Sequence, residues 1–206
     1  MAMMGKRSNF ERRERDFYPT PAKAVEPLLP HLNGVRRFCE PCAGNGALID
    51  HLEAAGLQCA SAWDIEPQRQ DIAQHNALGR LIGNIDAFIT NPPWDRRTLH
   101  PMIRHLSDQH PTWLLFDADW MHTKQSAELM RRCRAIVSVG RVKWIPDSKM
   151  TGKDNCCWYL FHDSPHGWPG WPAFVGRSVC ERPTLNVAKA VLEGSVKDTG
   201  GADDSR

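Results

Sequence analysis

An α/β domain with a largely parallel sheet is the fold class this sequence predicts, and three observations carry that expectation. Short apolar runs of strand length alternate with segments whose apolar residues recur at helical spacing. Glycines follow directly on the first of those runs, in "EPCAGNG" at 40–46. The stretch "TWLLFDAD" at 112–119 reads as a buried strand.

Taken in order, "TPAKAVEPLLPHL" (20–32) predicts a short helix with Thr20 as N-cap and Pro21 at the first helical position, broken up by Pro27 and Pro30. "RRFCEP" (36–41) is a short strand, "GALIDHLEAAG" (46–56) a helix closed by Gly56, and "QCASAWDI" (58–65) the next strand. A proline-led helix is expected over 67–78. Two short strands, "RLIGN" (80–84) and "DAFITN" (86–91), then follow almost without a break. Beyond them come a helix in "LHPMIRHLSDQ", the strand "TWLLFDAD", a helix in "KQSAELMRRCRA", and the strands "IVSVGRVKWI" and "NCCWYLFH". The last two lack a helix between them, so they are free to pair antiparallel.

The 206 residues, 41% hydrophobic and 24% charged, suit one domain of ordinary globular composition. The expected division is a flexible basic amino terminus over 1–15, a domain over 16–192 and a flexible tail over 193–206. No repeats interrupt it. No run has the length of a membrane span, and the basic amino-terminal residues are not followed by an apolar signal region, so the reading is cytoplasmic and without a membrane. Seven cysteines are an odd count without secretory context and are read as reduced. Cys39 and Cys42 form a C-x-x-C, but no second half of a zinc set lies nearby, and no metal is expected. The net charge of +2 hides an asymmetry: residues 96–154 carry eleven Lys or Arg against six Asp or Glu. That excess is either ordinary surface scatter or a face for a phosphate backbone.

In such a sheet, ligands gather at the carboxyl ends of the strands, near the switch point of the topology. There the first strand ends in Glu40, followed by Gly44 and Gly46, whose freedom lets backbone approach a ligand closely. The second strand ends in Asp64, an acid placed to accept both hydroxyls of a ribose. These features describe a nucleoside-containing cofactor. A dinucleotide fits poorly, because Ile49 stands where the third glycine of G-x-G-x-x-G belongs and Glu40 would face a pyrophosphate. A cationic cofactor suits that acid better. A later strand ends in "DAFITNPPWDR" (86–96), where a polar amide, two rigid residues and a large aromatic close an apolar run.

The order of "DFYPTP" (16–21), "FCEPCAGNGALIDHL" (38–52), "WDIE" (63–66) and "ITNPPW" (89–94) resembles that of S-adenosylmethionine-dependent amino-methyltransferases of the N6-adenine type, in particular the compact kind of phages and prophages. The resemblance covers residues 16–162. It implies a single class I, Rossmann-like methyltransferase domain with a mostly parallel seven-stranded sheet and an antiparallel last strand. It also implies S-adenosylmethionine as cofactor. Tyr18, Thr20 and Pro21 would border its methionine end, Glu40, Ala43, Gly44 and Gly46 would form the glycine loop, Asp64 would take the ribose, and Ile65 would lie on the adenine. Asn84 is the nearest match to a further adenine contact expected after the third strand.

The resemblance makes Asn91, Pro92, Pro93 and Trp94 the catalytic set. An adenine N6 amine is a poor nucleophile because its lone pair is delocalised into the ring. The Asn91 side-chain carbonyl and the Pro92 backbone carbonyl can accept its two hydrogens and aim the lone pair at the methyl group. Prolines offer fixed φ and no competing amide hydrogen, and Trp94 is a face on which an extruded base can stack. Lys143, Trp144, Lys149 and Lys153, in the connection between the last two strands, either contact nucleic acid or form a solvated hairpin with one packed tryptophan. Asp117 and Asp119 either line the cleft or cap the helix after them.

DNA is the expected acceptor. RNA and a protein glutamine are the alternatives within the same chemistry, and a non-catalytic nucleic-acid-binding module is the alternative outside it. The residues after the final strand are too few for a recognition domain. Target contacts are therefore expected from 143–157 and the basic amino terminus, or from a separate specificity partner.

Overall fold

A computed structural model describes residues 17–79, 83–145, 152–163 and 172–177. The expected flexible ends at 1–15 and 193–206, and Lys149, lie outside the described residues.

The chain opens with α1 (Ala22–Val25) and a 3-10 turn at Leu29–His31. Strand β1 (Arg37–Glu40) leads into α2 (Ala47–Ala54), and β2 (Gln58–Asp64) is followed by the two-residue β3 (Ala73–Gln74). Next come β4 (Ala87–Thr90), α3 (Arg96–Ser107), β5 (Thr112–Asp117), a series of 3-10 turns, β6 (Cys133–Arg141), β7 (Asn155–Phe161) and β8 (Ala173–Val175). The strands form one sheet in the order β3-β2-β1-β4-β5-β7-β6-β8. Strands β1 to β5 run parallel, while β7 lies antiparallel between β5 and β6. The expected mostly parallel sheet with one antiparallel strand is therefore found, with eight strands in place of seven.

The difference in count has a local cause. Gly83 and Asn84 are not in a strand, residues 80–82 of "RLIGN" lie outside the described residues, and β3 and β8 occupy the two edges instead. The helix expected over 67–78 is replaced by turns and β3. Only Ile72 of that stretch is buried, so a helix there would have no apolar face to cover. The helix expected in 124–135 is likewise two 3-10 turns, after which Cys133 enters β6. The Ser126 hydroxyl donates to the Thr123 carbonyl at 2.7 Å, a local bond that competes with helix propagation. Thr20 does not cap α1. Pro21 holds the N-cap position and no side chain caps it.

Side chains alternate between two cores. Along β4, Ala87 and Ile89 join the face with Leu28, Phe38, Leu52, Trp113 and Trp158, and Phe88 joins the face with Leu99, Ile103, Phe116, Trp120 and Tyr159. Trp158 Nε1 donates to the Ala24 carbonyl at 2.7 Å and ties β7 to α1. Among the described residues, no helix is long and apolar enough to cross a membrane.

The chain runs from β1 outward to β3 and then returns to β4 on the other side of β1. The carboxyl ends of β1 and β4 therefore flank the switch point, where an open cleft is expected. Glu40 ends one strand and Asn91 follows the other.

Candidate active site

A cavity of about 410 Å³ opens at that switch point. Of the residues expected there, Tyr18, Thr20, Glu40, Ala43, Gly44, Asp64, Ile65, Asn91 and Pro93 line it. Pro21, Gly46, Pro92 and Trp94 adjoin lining residues without lining it themselves, and Asn84 is exposed and does not line it.

The glycine loop is built by contacts with distant sequence. Gly44 and Gly46 have φ of +52° and +80°, the left-handed region that other residues rarely adopt. Asp64 Oδ2 accepts the Gly44 N–H at 2.8 Å, its Oδ1 accepts the Glu66 N–H at 2.8 Å, and the Gly44 carbonyl accepts from Gln68 N at 2.9 Å. Each Asp64 oxygen keeps a further acceptor site, so a vicinal diol remains within its capacity. The Phe17 ring covers Gly44 so closely that a Cβ there would lie 2.6 Å from it. Arg69 lies across Gly46, donating to its carbonyl at 3.4 Å and to Asp50 Oδ1 at 2.7 Å, while its Nε donates to Asp71 at 2.7 Å. Phe17 and Arg69 carry no motif signal of their own, and only the fold brings them to the loop.

Glu40 is 2% exposed, and its Oε2 has no hydrogen-bond partner among the described residues. Burial pushes its carboxyl well above the usual range and nearby Asp64 adds to this, while Arg69 opposes it. Glu66 also lines the cavity, so three acidic side chains face it, and the described lining contains no Lys or Arg. Ile65, which is 60% exposed, and Ala77 offer apolar surface near Asp64. Asn76 lines the cavity where Asn84 was expected. The expected helix over 67–78 concealed it, because the polar residue after β3 is recognisable only once that edge strand is known.

Another part of the cavity lining centres on Asn91. Its Nδ2 donates to Thr20 Oγ1 at 3.2 Å and to the Tyr18 carbonyl at 3.5 Å. A carbonyl can only accept, so it is the nitrogen end of the amide that suits the Tyr18 carbonyl. Half-buried Trp94 meets Trp144 edge to face at 5.8 Å and 83°, and Trp144 meets Tyr18 at 6.4 Å. The fold thus brings Trp144 to the NPPW motif. Lys143 is exposed and Lys153 half-buried, and neither lines the cavity. Asp117 Oδ1 accepts the Asp119 N–H at 3.0 Å, so it caps the following 3-10 turn, and neither acid lines the cavity.

No protein-family model matches this chain. No curated protein is similar to it in sequence. Solved structures do resemble it. A Listeria monocytogenes protein assigned as a class I S-adenosylmethionine-dependent methyltransferase aligns with a TM-score of 0.54 at 12% identity, covering 88% of this chain and 71% of that one. A Pyrococcus horikoshii protein assigned as an RNA methyltransferase aligns with a TM-score of 0.51 at 17% identity, covering 77% of this chain and 93% of that one. The fold is that of the class I methyltransferases. Within the class I methyltransferase fold of this chain, the buried Glu40 with its orphaned oxygen and the Asp64 carboxylate suit a ligand that joins a nucleoside to a cationic end.

Proposed function

We propose that this protein binds S-adenosylmethionine and transfers its methyl group to the exocyclic N6 amine of adenine in DNA. The observation that carries this reading is the Asn91 amide, whose nitrogen is engaged by Thr20 and Tyr18 while its oxygen accepts no hydrogen bond among the described residues and is available to a substrate amine. Trp94 and Trp144 beside it support an aromatic acceptor.

Glu40, Asp64, Asn76 and Ile65 would hold the cofactor: Glu40 its cationic end, Asp64 its ribose, and Asn76 and Ile65 its adenine. The cofactor supplies an electrophilic methyl carbon when bound. The chain's own part is positioning. Asn91 Oδ1 and the Pro92 carbonyl accept the two amine hydrogens, which draws the nitrogen toward a tetrahedral shape and localises its lone pair. The prolines hold those acceptors in a turn with fixed φ. Trp94 offers a face to the extruded base, offsetting unstacking of a few kcal/mol. The amine proton becomes acidic after transfer and leaves to solvent, so no side chain with a strongly shifted base is required.

Incubation with methyl-labelled S-adenosylmethionine and separate DNA, RNA and protein pools, followed by nucleoside and amino-acid analysis, tests the reading. Label in N6-methyladenine of DNA is expected. Label confined to RNA N6-methyladenosine or to methylglutamine overturns the choice of acceptor, and no label in any pool points to a binding module.

A further inference from the structure

We propose that Glu40 is protonated in the free protein and gives up that proton when the cationic cofactor enters, so that this one residue selects ligands by charge. The inference rests on the cofactor reading above and deepens it.

Glu40 sits at the end of β1 with its carboxyl inside the protein, lining the cavity with one oxygen unsatisfied among the described residues. A buried carboxylate without a counter-charge is costly, and the usual response is to take up a proton. The surrounding groups do not relieve it. Asp64, from the end of β2, and Asp50, from α2, are like charges. Arg69 is the cation that faces it, and its guanidinium is already bound to Asp50 and Asp71. Among the described residues, the Ile49 backbone N–H is the hydrogen-bond donor that favours the ionised form. The thiols of Cys39 and Cys59 are pushed up to about 12, and that of Cys42, which lines the cavity, is pushed up too, in each case chiefly by burial. All three are protonated at neutral pH with or without ligand, and none is the source of a released proton.

A ligand that brings positive charge beside Glu40 reverses the balance, because the ionised form then has a partner in a low-dielectric site. The proton moves from the Glu40 carboxyl to the buffer, and the carboxylate that remains pairs with the ligand cation. A ligand with the same nucleoside and no charge leaves Glu40 protonated and draws no proton out.

The test is titration calorimetry of the full chain at pH 6.5, in two buffers of different ionisation enthalpy, from which the number of protons released follows. At that pH the ligand's amine is already an ammonium, since α-amino groups titrate near about 7.7–8.0. S-adenosylmethionine should release about one proton and uncharged 5′-methylthioadenosine none. In Glu40→Gln the release should vanish and affinity for S-adenosylmethionine should fall about tenfold or more, while that for 5′-methylthioadenosine stays within about twofold. S-adenosylmethionine binding without proton release, or equal release in wild type and Glu40→Gln, overturns the proposal and leaves the cofactor reading intact. If neither ligand binds the wild type, the cofactor reading falls and takes the proposal with it. Should the variant lose both ligands, the wild-type proton counts for the two ligands decide.

Discussion

Asn91 is held by its donor end, and this decides what substitution there does. Asn91→Ala removes the acceptor while leaving the Glu40, Asp64 and Gly44 side of the cavity in place, so turnover should fall by about 100-fold or more with cofactor affinity little changed. Single-turnover rates set against binding calorimetry measure the two separately. Thr20→Val deletes the nearer of the two acceptors of Asn91 Nδ2, and the amide is then held by the Tyr18 carbonyl at 3.5 Å alone. A turnover loss of about tenfold is expected, smaller than for Asn91→Ala because the reacting acceptor is still present. At this scale the sequence was informative where a residue type does local work. Glu40 and Asp64 end strands and Gly44 lies just beyond one, so their place at the cavity was legible from type and order. Asn76 was not legible, since its relevance depends on an edge strand of two residues that no periodicity announces. Thr20 was read as a helix cap, when its hydroxyl instead serves a residue far along the chain.

At the scale of elements, the segment after β2 is stapled to the loop before α2, and the staple passes through Arg69. Gly46→Ala would place a Cβ against the Arg69 guanidinium at a φ of +80°. Both effects act on the same turn. A cost of about 1–2 kcal/mol from the left-handed backbone is expected, together with weaker cofactor binding. Denaturant melts with and without S-adenosylmethionine would show a lower midpoint and a smaller shift on adding ligand. On the opposite flank, Trp158→Phe removes the bond to the Ala24 carbonyl and part of a fully buried ring. A loss of about 2–4 kcal/mol is expected in equilibrium unfolding, because a buried carbonyl loses its partner as well as its packing. The strands with continuous apolar runs were legible, and so were α2 and α3, whose apolar residues recur at helical spacing. The stretch 67–78 was misread because Ile72 alone is buried there, and 124–135 because the Ser126 hydroxyl bonds the Thr123 carbonyl and Cys133 already belongs to β6.

Across the whole molecule, two sets of buried groups pull stability in opposite directions with pH. His31, His100, His110 and His162 all titrate below their ordinary value near 6.5, chiefly because burial disfavours the charged ring. The unfolded chain therefore binds protons more readily, and the stability these rings contribute is present above about 6.5 and lost as the pH falls below it. Glu40, raised by burial, has the opposite sign: the folded chain holds its proton more tightly, so its contribution fades as the pH rises. Urea midpoints should fall between pH 7.5 and 5.5 in the wild type. At pH 8, Glu40→Gln should have a higher midpoint than the wild type, with the difference shrinking as the pH falls toward about 3.5, where the acid is largely neutral in both states. A site residue that binds a cation would thus be one the protein would be more stable without, as expected where function sets the composition of a buried position.

The described residues that line the cavity all fall between Phe17 and Met102, ahead of β5. Trp144, which meets Trp94 and Tyr18, comes from the far side of the sheet and from the later half of the chain. On a ribosome, the whole described lining of the cofactor cavity is therefore synthesised before the strands that close the sheet and before the second tryptophan of the acceptor face. Asn91 and Trp94 are made in that same earlier stretch, so Trp144 is the part of this face that waits for the later strands.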